Sequence, residues 1–333
     1  MDYKPLFPYF GGKSKVADLV WSRFGDVANY IEPFFGSGAM MFLRPKMGGV
    51  ETVNDKDCLL VNLWRAVQGD PAAVAHYADN PVHEVSLHAR HLWLISQKES
   101  LTERMIADMD FFDAKIAGWW VWGLCCWIGS GWCSGDGPWS IVDGAFVKAF
   151  GSKNGVNRQR PHLGDAGVGV NRQRPHLSSN GMGVVNGGEA TQELIGWFSS
   201  RLRNVRVTCG DWSRITGHSV TTGFGVTAVF LDPPYPFEAG RDNALYREES
   251  GTVAHDVAKW AIEQGDNPLM RIAFCGYEGS HSFPDTWTVV AWKSGGGYGN
   301  RGDDKNATRE RIWFSPHCVP ERKYLLFPES EDG

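Results

Sequence analysis

The sequence lacks the features that would mark a secreted, membrane-spanning or zinc-binding protein. Its seven cysteines are an odd number without a paired C-x-x-C spacing, which argues against a disulfide framework and against a zinc site. No apolar run is long enough to cross a bilayer, and no signal-peptide pattern opens the chain. We therefore expect a cytoplasmic protein that makes no membrane contact and holds no metal.

The chain also lacks an overall basic charge. Its 33 lysines and arginines stand against 38 acidic residues, for a net charge of −5, so any contact with nucleic acid must come from a local patch. Hydrophobic residues make up 42% and charged residues 21% of its 333 residues. This composition is typical of a globular enzyme built from one large domain or two smaller ones.

The most informative stretch is Leu231-Asp232-Pro233-Pro234-Tyr235, which follows the apolar run 226–230. The run predicts a buried strand of a parallel sheet, and two prolines must end that strand. Asp232 and Tyr235 are then left at its carboxyl end, where open α/β sheets bind ligands. A tight turn with Tyr235 as a packing aromatic is the alternative, and the motif alone does not decide between them.

Two glycine motifs lie nearer the start. In Tyr9-Phe10-Gly11-Gly12-Lys13 the glycines would let backbone approach a ligand, and Lys13 could reach an anionic group. A glycine turn with a solvated lysine is the alternative. Glu32-Pro33-Phe34-Phe35-Gly36-Ser37-Gly38 predicts a strand, a Gly-x-Gly turn and a helix, the opening of a Rossmann-like nucleotide-binding unit. Because the third glycine of the dinucleotide fingerprint is missing, NAD and FAD are disfavoured.

Acidic residues follow two more predicted strands. Asp55 lies after the strand 50–53, about 20 residues beyond the glycines, where an acidic side chain suits a ribose. Asp55 could instead cap the helix predicted over 58–67, although Asp57 is the stronger candidate for that cap. Asp211 follows the strand predicted over 205–208.

Between about 69 and 189 the alternation of strand and helix lapses. We predict helices over 83–96 and 103–128 there, and we interpret the tryptophan-rich stretch 119–139 as the small core of an inserted subdomain, with a base-stacking platform as the alternative. The alternation then resumes with helices predicted over 191–202 and 252–264 and strands over 270–275, 287–292 and 311–315. The sequence thus predicts two halves of one α/β domain, 1–68 and 190–333, around an insert over 69–189.

The insert contains an internal repeat, because residues 155–163 recur without change at 169–177. Its paired arginines are Arg158, Arg160, Arg172 and Arg174. Arginines beside Asn and Gln are side chains that contact phosphates and purine edges. We expect DNA binding here, with contacts to phosphates favoured over contacts to bases, and a solvated glycine-rich linker as the alternative.

Taken together, these motifs resemble those of the Dam-like (α-class, D12) DNA adenine-N6 methyltransferases. The shared motifs, in that family's order, are F-G-G-K at 10–13, E-P-F-F-G-S-G at 32–38, N-D at 54–55, G-D at 210–211 and D-P-P-Y at 232–235. The tryptophan-rich block and the repeat are closest in style to phage-borne members. The resemblance implies a Rossmann-like sheet that binds S-adenosylmethionine, with a mainly helical and loop insert for target recognition.

The resemblance also implies roles for individual residues. Asp232 and the Pro233 carbonyl would accept the amino hydrogens of a flipped-out adenine that stacks on Tyr235, with Asp55 on the cofactor ribose and Asp211 near the cofactor adenine. The expected catalytic residues are Asp232, Pro233, Pro234 and Tyr235. The expected cofactor-binding residues are Tyr9, Phe10, Gly11, Gly12, Lys13, Glu32, Pro33, Phe34, Gly36, Gly38, Asp55, Asp211 and Asp232.

The expected partner is double-stranded DNA, the expected state a monomer or weak dimer, and the setting the cytoplasm of a prokaryotic or phage-infected cell. Two alternatives stay open. The first is methylation of cytosine N4, RNA or a protein glutamine. At the position of Asp232, however, the glutamine enzymes usually carry Asn and the cytosine-N4 enzymes usually carry Ser. The second is a catalytically idle DNA-binding protein.

Overall fold

The computed structural model describes residues 3–7, 9, 12–108, 110–127, 132–133, 139–142, 145–148, 187–234, 252–292 and 309–320. The helices in these residues are α1 (Ala17–Phe24), α2 (Ala39–Phe42), α3 (Cys58–Gly69), α4 (Pro71–Ala78), α5 (Glu84–Ala107), α6 (Ala114–Cys126), α7 (Gly187–Leu202) and α8 (Val253–Gly265). The strands are β1 (Asn29–Glu32), β2 (Val50–Asp55), β3 (Trp139–Val142), β4 (Ala145–Lys148), β5 (Arg206–Cys209), β6 (Thr227–Leu231), β7 (Met270–Tyr277), β8 (Thr288–Ala291) and β9 (Glu310–Phe314). None of the described helices is both long and apolar enough to cross a membrane.

Seven of the described strands form one mostly parallel sheet in the order β5-β2-β1-β6-β7-β9-β8. The first five are parallel to one another, whereas β9 runs antiparallel to β7 and β8. From β1 the chain adds strands on one side, and from β6 it adds them on the other. The sheet order therefore reverses between the neighbouring strands β1 and β6, and such a topological switch point is where open α/β sheets bind ligands. The expected Rossmann-like α/β fold is confirmed.

Alternating side chains of the central strands pack on opposite faces of the sheet. Tyr30 and Phe230 belong to a large core with α1, α3, α6 and α7, whereas Ile31 and Leu231 belong to a smaller core with α8. This is the period of two that a strand imposes. Because both faces are covered, β1 and β6 are buried along their whole length, as expected for inner strands of a parallel sheet.

The predicted helices over 83–96 and 103–128 are wrong in their boundaries. The first continues to Ala107 as α5, and the second begins only at Ala114 as α6. The side chain of Asp113 accepts a hydrogen bond from Ile116 N and so caps α6, which fixes its start. The prediction also missed α4, whose start is marked by Pro71 and by the cap of Asp70 on Ala73 N.

The tryptophans of this region pack as predicted, but they do not form a separate core. Trp120 and Trp122 are fully buried in the same cluster as Trp64 of α3 and Phe198 of α7. The helices of residues 71–126 therefore share their core with the helical face of the sheet. Domain boundaries near 68 and 189 stay a prediction.

Candidate active site

Four neighbouring parallel strands each end in an acidic residue at the same edge of the sheet. β1 ends at Glu32 and β2 at Asp55, while Asp232 follows β6 directly and Asp211 follows β5 after one glycine. The register aligns these ends, since Glu32 pairs with Val53, and Asp55 with Cys209. The sequence motifs thus meet at the carboxyl edge, and Glu32 and Asp232 flank the switch point.

Lys13 joins the N-terminal motif to this edge. Its Nζ lies 2.7 Å from Asp232 Oδ2, and its side chain is 4% exposed. Burial opposes the charged form of Lys13, yet the nearby Asp232, Cys275 and Glu310 outweigh that effect and raise its pKa above the usual range. Lys13 is therefore a fixed cation that orients the carboxylate of Asp232, and the alternative of a solvated lysine is wrong.

Glu32 is a carboxyl group buried at the end of β1. Its Oε2 accepts a hydrogen bond from the Tyr30 hydroxyl at 2.9 Å, and only 3% of the residue is exposed. Burial raises the pKa of Glu32 well above its usual value, and the charges of Asp232 and Asp55 add to that rise. A cation placed beside Glu32 would be strongly favoured.

The glycine turn after β1 packs closely against aromatic side chains. Gly36 has φ +49° and Gly38 φ +69°, conformations that favour glycine. A Cβ on Gly36 would lie 2.6 Å from Cε1 of Tyr9, so the Tyr9 ring lies against the turn. The indole of Trp64 donates a hydrogen bond to Gly36 O at 3.1 Å, which fixes the turn against α3.

Asp55 holds the same turn from the neighbouring strand. Its Oδ2 accepts a hydrogen bond from Gly36 N at 3.0 Å, and its Oδ1 accepts one from Asp57 N at 3.0 Å. Burial raises the pKa of Asp55 to about 6, and these backbone hydrogen bonds limit the rise. Asp57, not Asp55, caps α3 through Leu59 N, so the preference for Asp57 as the cap is confirmed, and the ribose role of Asp55 stays a prediction.

Asn54 of β2 ties together the two loops that follow β1 and β5, a role that the motif analysis missed. Its side-chain amide donates to Pro33 O at 3.2 Å and to Gly210 O at 2.9 Å. Thr208 Oγ1 in turn donates to Asn54 Oδ1 at 2.9 Å. The sequence did contain a signal for this role: Asn54 is a short polar residue at the end of a buried strand, and a buried polar side chain requires hydrogen-bond partners.

Asp211 stands apart from the other acidic residues because it is exposed. It caps the short 3-10 turn Trp212–Ile215, accepting hydrogen bonds from Ser213 N at 3.0 Å and from Ser213 Oγ at 2.5 Å. These hydrogen bonds lower its pKa. The next residue, Trp212, is half-buried and packs with Phe34 against the smaller core. Trp212 is a second residue that the motif analysis did not select.

This edge coincides with a family match. Residues 9–115 match the D12 class N6 adenine-specific DNA methyltransferase family. No curated protein matches the chain. The predicted resemblance is confirmed over that segment, which supports methylation of DNA adenine as the activity.

The D12 match covers the first three motifs of the site. It includes Lys13, the turn 32–38 and Asp55, and the structure brings the first of these to Asp232. Pro233 is buried and Pro234 half-buried beside it. Several predicted site residues lie outside the residues that the structure describes, and their roles stay predictions: Phe10, Gly11, Tyr235, Arg158, Arg160, Arg172 and Arg174.

Proposed function

We propose that this protein is a site-specific DNA methyltransferase that transfers the methyl group of S-adenosylmethionine to the N6 amino group of an adenine. The observation that carries this proposal is the ion pair of Lys13 with Asp232. It joins the glycine-rich N-terminal motif to the Asp-Pro-Pro turn, two motifs far apart in sequence, at the edge where Glu32 and Asp55 also lie.

The carboxyl edge suits S-adenosylmethionine chemically. Glu32 and Asp55 are carboxyl groups whose pKa values are raised by burial, so cations and hydroxyl donors would stabilise their ionised forms. S-adenosylmethionine carries a sulfonium, an ammonium and two ribose hydroxyls. Gly36 and Gly38 turn the chain at this edge without side chains of their own, so such a ligand would meet backbone there.

Each part of the edge then has a binding role. Asp55 would accept the ribose hydroxyls, and Glu32 would face the positive charges of the methionine part. Asp211 would accept from the amino group of the cofactor adenine, with Phe34 and Trp212 as apolar walls near it. When bound, S-adenosylmethionine supplies an electrophilic methyl group on sulfur.

Asp232 would prepare the target amine. The lone pair of an adenine amino group is delocalised into the ring, which makes it a poor nucleophile. Lys13 engages Oδ2 of Asp232, and Asp232 and the Pro233 carbonyl would each accept one amino hydrogen, turning the lone pair towards the methyl carbon. As the amine takes up the methyl group it would give up one proton, for which Asp232 and solvent would be the acceptors.

Positioning supplies most of the rate in this scheme. Holding two reactants in line is worth up to about 7–11 kcal/mol, so the residues at hand need only orient the amine. An adenine inside a duplex must first flip out, at about a few kcal/mol. Stacking on Tyr235 would recover about 1–3 kcal/mol of that cost.

The test is identification of the methylated product. The protein is incubated with methyl-labelled S-adenosylmethionine and duplex DNA, the DNA is digested, and its nucleosides are separated. We expect label only in N6-methyladenine, with RNA and glutamine-containing peptides unlabelled in parallel. Label in N4-methylcytosine, in RNA or in peptide would replace the proposed substrate. Absence of both labelling and cofactor binding would leave an idle DNA-binding protein.

A further inference from the structure

A cavity of about 340 Å³ that contains a cationic side chain lies between α4, α5, α6 and α7. Its wall includes Tyr77, Asn80, Arg90, Trp119 and Gln192. A volume of this order suits a small ligand or one unit of a polymer. None of these residues belongs to the proposed methyl-transfer site.

Arg90 of α5 is held rigidly at this wall. Its guanidinium lies over the indoles of Trp119 at 4.7 Å and Trp122 at 4.3 Å. Its Nη2 donates to Asn80 Oδ1 at 2.9 Å, and Asn80 O accepts from Trp122 Nε1 at 2.9 Å. The side chain is therefore oriented before any ligand arrives, which reduces the entropy lost on binding.

The charge of Arg90 has no counter-ion among the described residues. Burial lowers its pKa. Its Nη1 is buried without a hydrogen-bond partner among the described residues, and of the five donors of a guanidinium the described contacts use one. A partly buried cation in this condition favours an anion, and its planar fork fits phosphate oxygens.

A second cation extends the same surface. Lys115 Nζ lies over Trp119 at 4.5 Å and over Trp93 at 4.8 Å, so both cations contact the indole of Trp119. Asp79 also lines the cavity, which limits how much negative charge it can accept. In sequence, the arginine repeat ends at Leu177, shortly before α7 and its Gln192.

We propose that this cavity binds one phosphate of the DNA backbone, with Arg90 as the residue that contacts it. This inference rests on the proposed function, because DNA supplies the phosphate. It adds a contact site within the described helices to the arginine repeat predicted from sequence. The contact positions DNA without selecting a base.

The test is the binding of a labelled duplex by fluorescence anisotropy over a series of salt concentrations. Arg90→Met keeps the stem over the indoles and removes the charge. We expect affinity to fall about tenfold, equivalent to about 1.4 kcal/mol, and the slope of log K against log salt to become shallower by about 0.9. Arg90→Lys should have an affinity between those of the wild type and Arg90→Met, because it loses the planar guanidinium. It should keep the wild-type slope, because it keeps the charge.

Arg104 supplies the matched control. It lies on the same helix, about 20 Å away along the axis, is exposed, and rests over Phe111 at 3.9 Å. Arg104→Met removes the same charge and should leave affinity within twofold of wild type. Equal effects of Arg90→Met and Arg104→Met, or wild-type affinity of Arg90→Met, would overturn the proposal.

Two further measurements distinguish a DNA phosphate from a free anion, and failure of the phosphate site from failure of the proposed function. Inorganic phosphate, followed by tryptophan fluorescence, tests the cavity without DNA; phosphate binding together with wild-type DNA affinity of Arg90→Met would assign the cavity to a free anion and overturn the DNA contact. Calorimetry with S-adenosylmethionine should give wild-type affinity for Arg90→Met. If the wild type binds DNA through Arg90 but transfers no methyl group, the proposed function fails and the phosphate site stands.

Discussion

The carboxyl edge of the sheet is acidic and the cavity between the helices is cationic, and the two hold their charged groups by different contacts. At the edge, strand register aligns the ends that carry Glu32, Asp55 and Asp232, and Lys13 pairs with Asp232. At the cavity wall, Arg90 rests on the indole of Trp119, which Lys115 also contacts, and no acidic side chain pairs with Arg90 among the described residues. The acidic edge suits cations and hydrogen donors, whereas the cationic cavity suits phosphate. In this account the edge binds the cofactor and the adenine amine, and the cavity binds the DNA backbone.

The largest expected effect is on turnover at the edge. Asp232→Ala should lower methyl transfer by about 100- to 1,000-fold, the loss typical of one preorganised electrostatic group, while duplex affinity stays near wild type. Single-turnover transfer of labelled methyl measures it.

Asp232→Ala removes the carboxylate that lies 2.7 Å from the buried Lys13 Nζ, which costs stability. The double variant with Lys13→Met removes that charge and should regain stability without regaining turnover. Near-wild-type turnover of either variant would remove Asp232 from the chemistry.

Next in size is the loss of cofactor affinity on filling the glycine turn. Gly36→Ala places a Cβ 2.6 Å from the Tyr9 ring at a φ of +49°, so the ring and the turn must shift. We expect S-adenosylmethionine affinity to fall about tenfold, or about 1.4 kcal/mol, by calorimetry. Gly196→Ala on α7 is the control, because a Cβ there meets nothing within 4 Å. Equal affinities of the two variants would move the cofactor away from this turn.

The edge, unlike the cavity, should bind its ligand in a pH-dependent way. Because the pKa of Asp55 is about 6, the group loses its charge as pH falls through 6, and cofactor affinity should fall with it. Asp55→Asn should bind more weakly at pH 7.5 and lose this step, whereas Asp211→Asn should keep it. A step that survives in Asp55→Asn but disappears in Glu32→Gln would assign the titration to Glu32.

The same carboxyl group affects the free energy of unfolding in the opposite direction: affinity should rise with pH, whereas stability should fall. The folded pKa of about 6 lies above the ordinary value of 3.8, so the folded state holds the proton more tightly than the unfolded state. Asp55 therefore lowers the free energy of unfolding as pH rises from about 4 to 6. Asp55→Asn should flatten that part of the stability profile measured by urea unfolding.

The smallest effect should come from the helix cap between the two regions. Asp57→Ala removes the acceptor for Leu59 N and should cost about 0.5–2 kcal/mol of unfolding free energy, with neither cofactor nor DNA affinity changed more than twofold. Asp70→Ala, which uncaps α4 at Ala73 N, is the matched control at the other end of α3. Loss of cofactor affinity in Asp57→Ala alone would show that the cap also orders the edge.

The sequence predicted the parts of the site that depend on local chemistry. Two prolines after an apolar run were sufficient to place Asp232 at a strand end, and two glycines placed the turn at 36–38. The cap by Asp57 also followed from residue type and spacing. Such features are set within a few residues, so an isolated sequence contains their signal.

The contacts that it did not predict depend on packing between distant segments. The pairing of Lys13 with Asp232 requires the finished sheet, as do the hydrogen bonds of Asn54 to Pro33 and Gly210. The stacking of Arg90 requires α5 beside α6, and the apolar pattern over 103–128 concealed the break between these helices. Tertiary context decided all of these.

The most direct test of the division between edge and cavity is a crystal structure with S-adenosylhomocysteine and a short duplex. We expect the ribose within hydrogen-bond distance of Asp55, the sulfur near the turn at Gly36, and a backbone phosphate at Arg90. A nucleoside bound in the cavity beside Arg90, with the carboxyl edge open, would contradict the assignment of both sites.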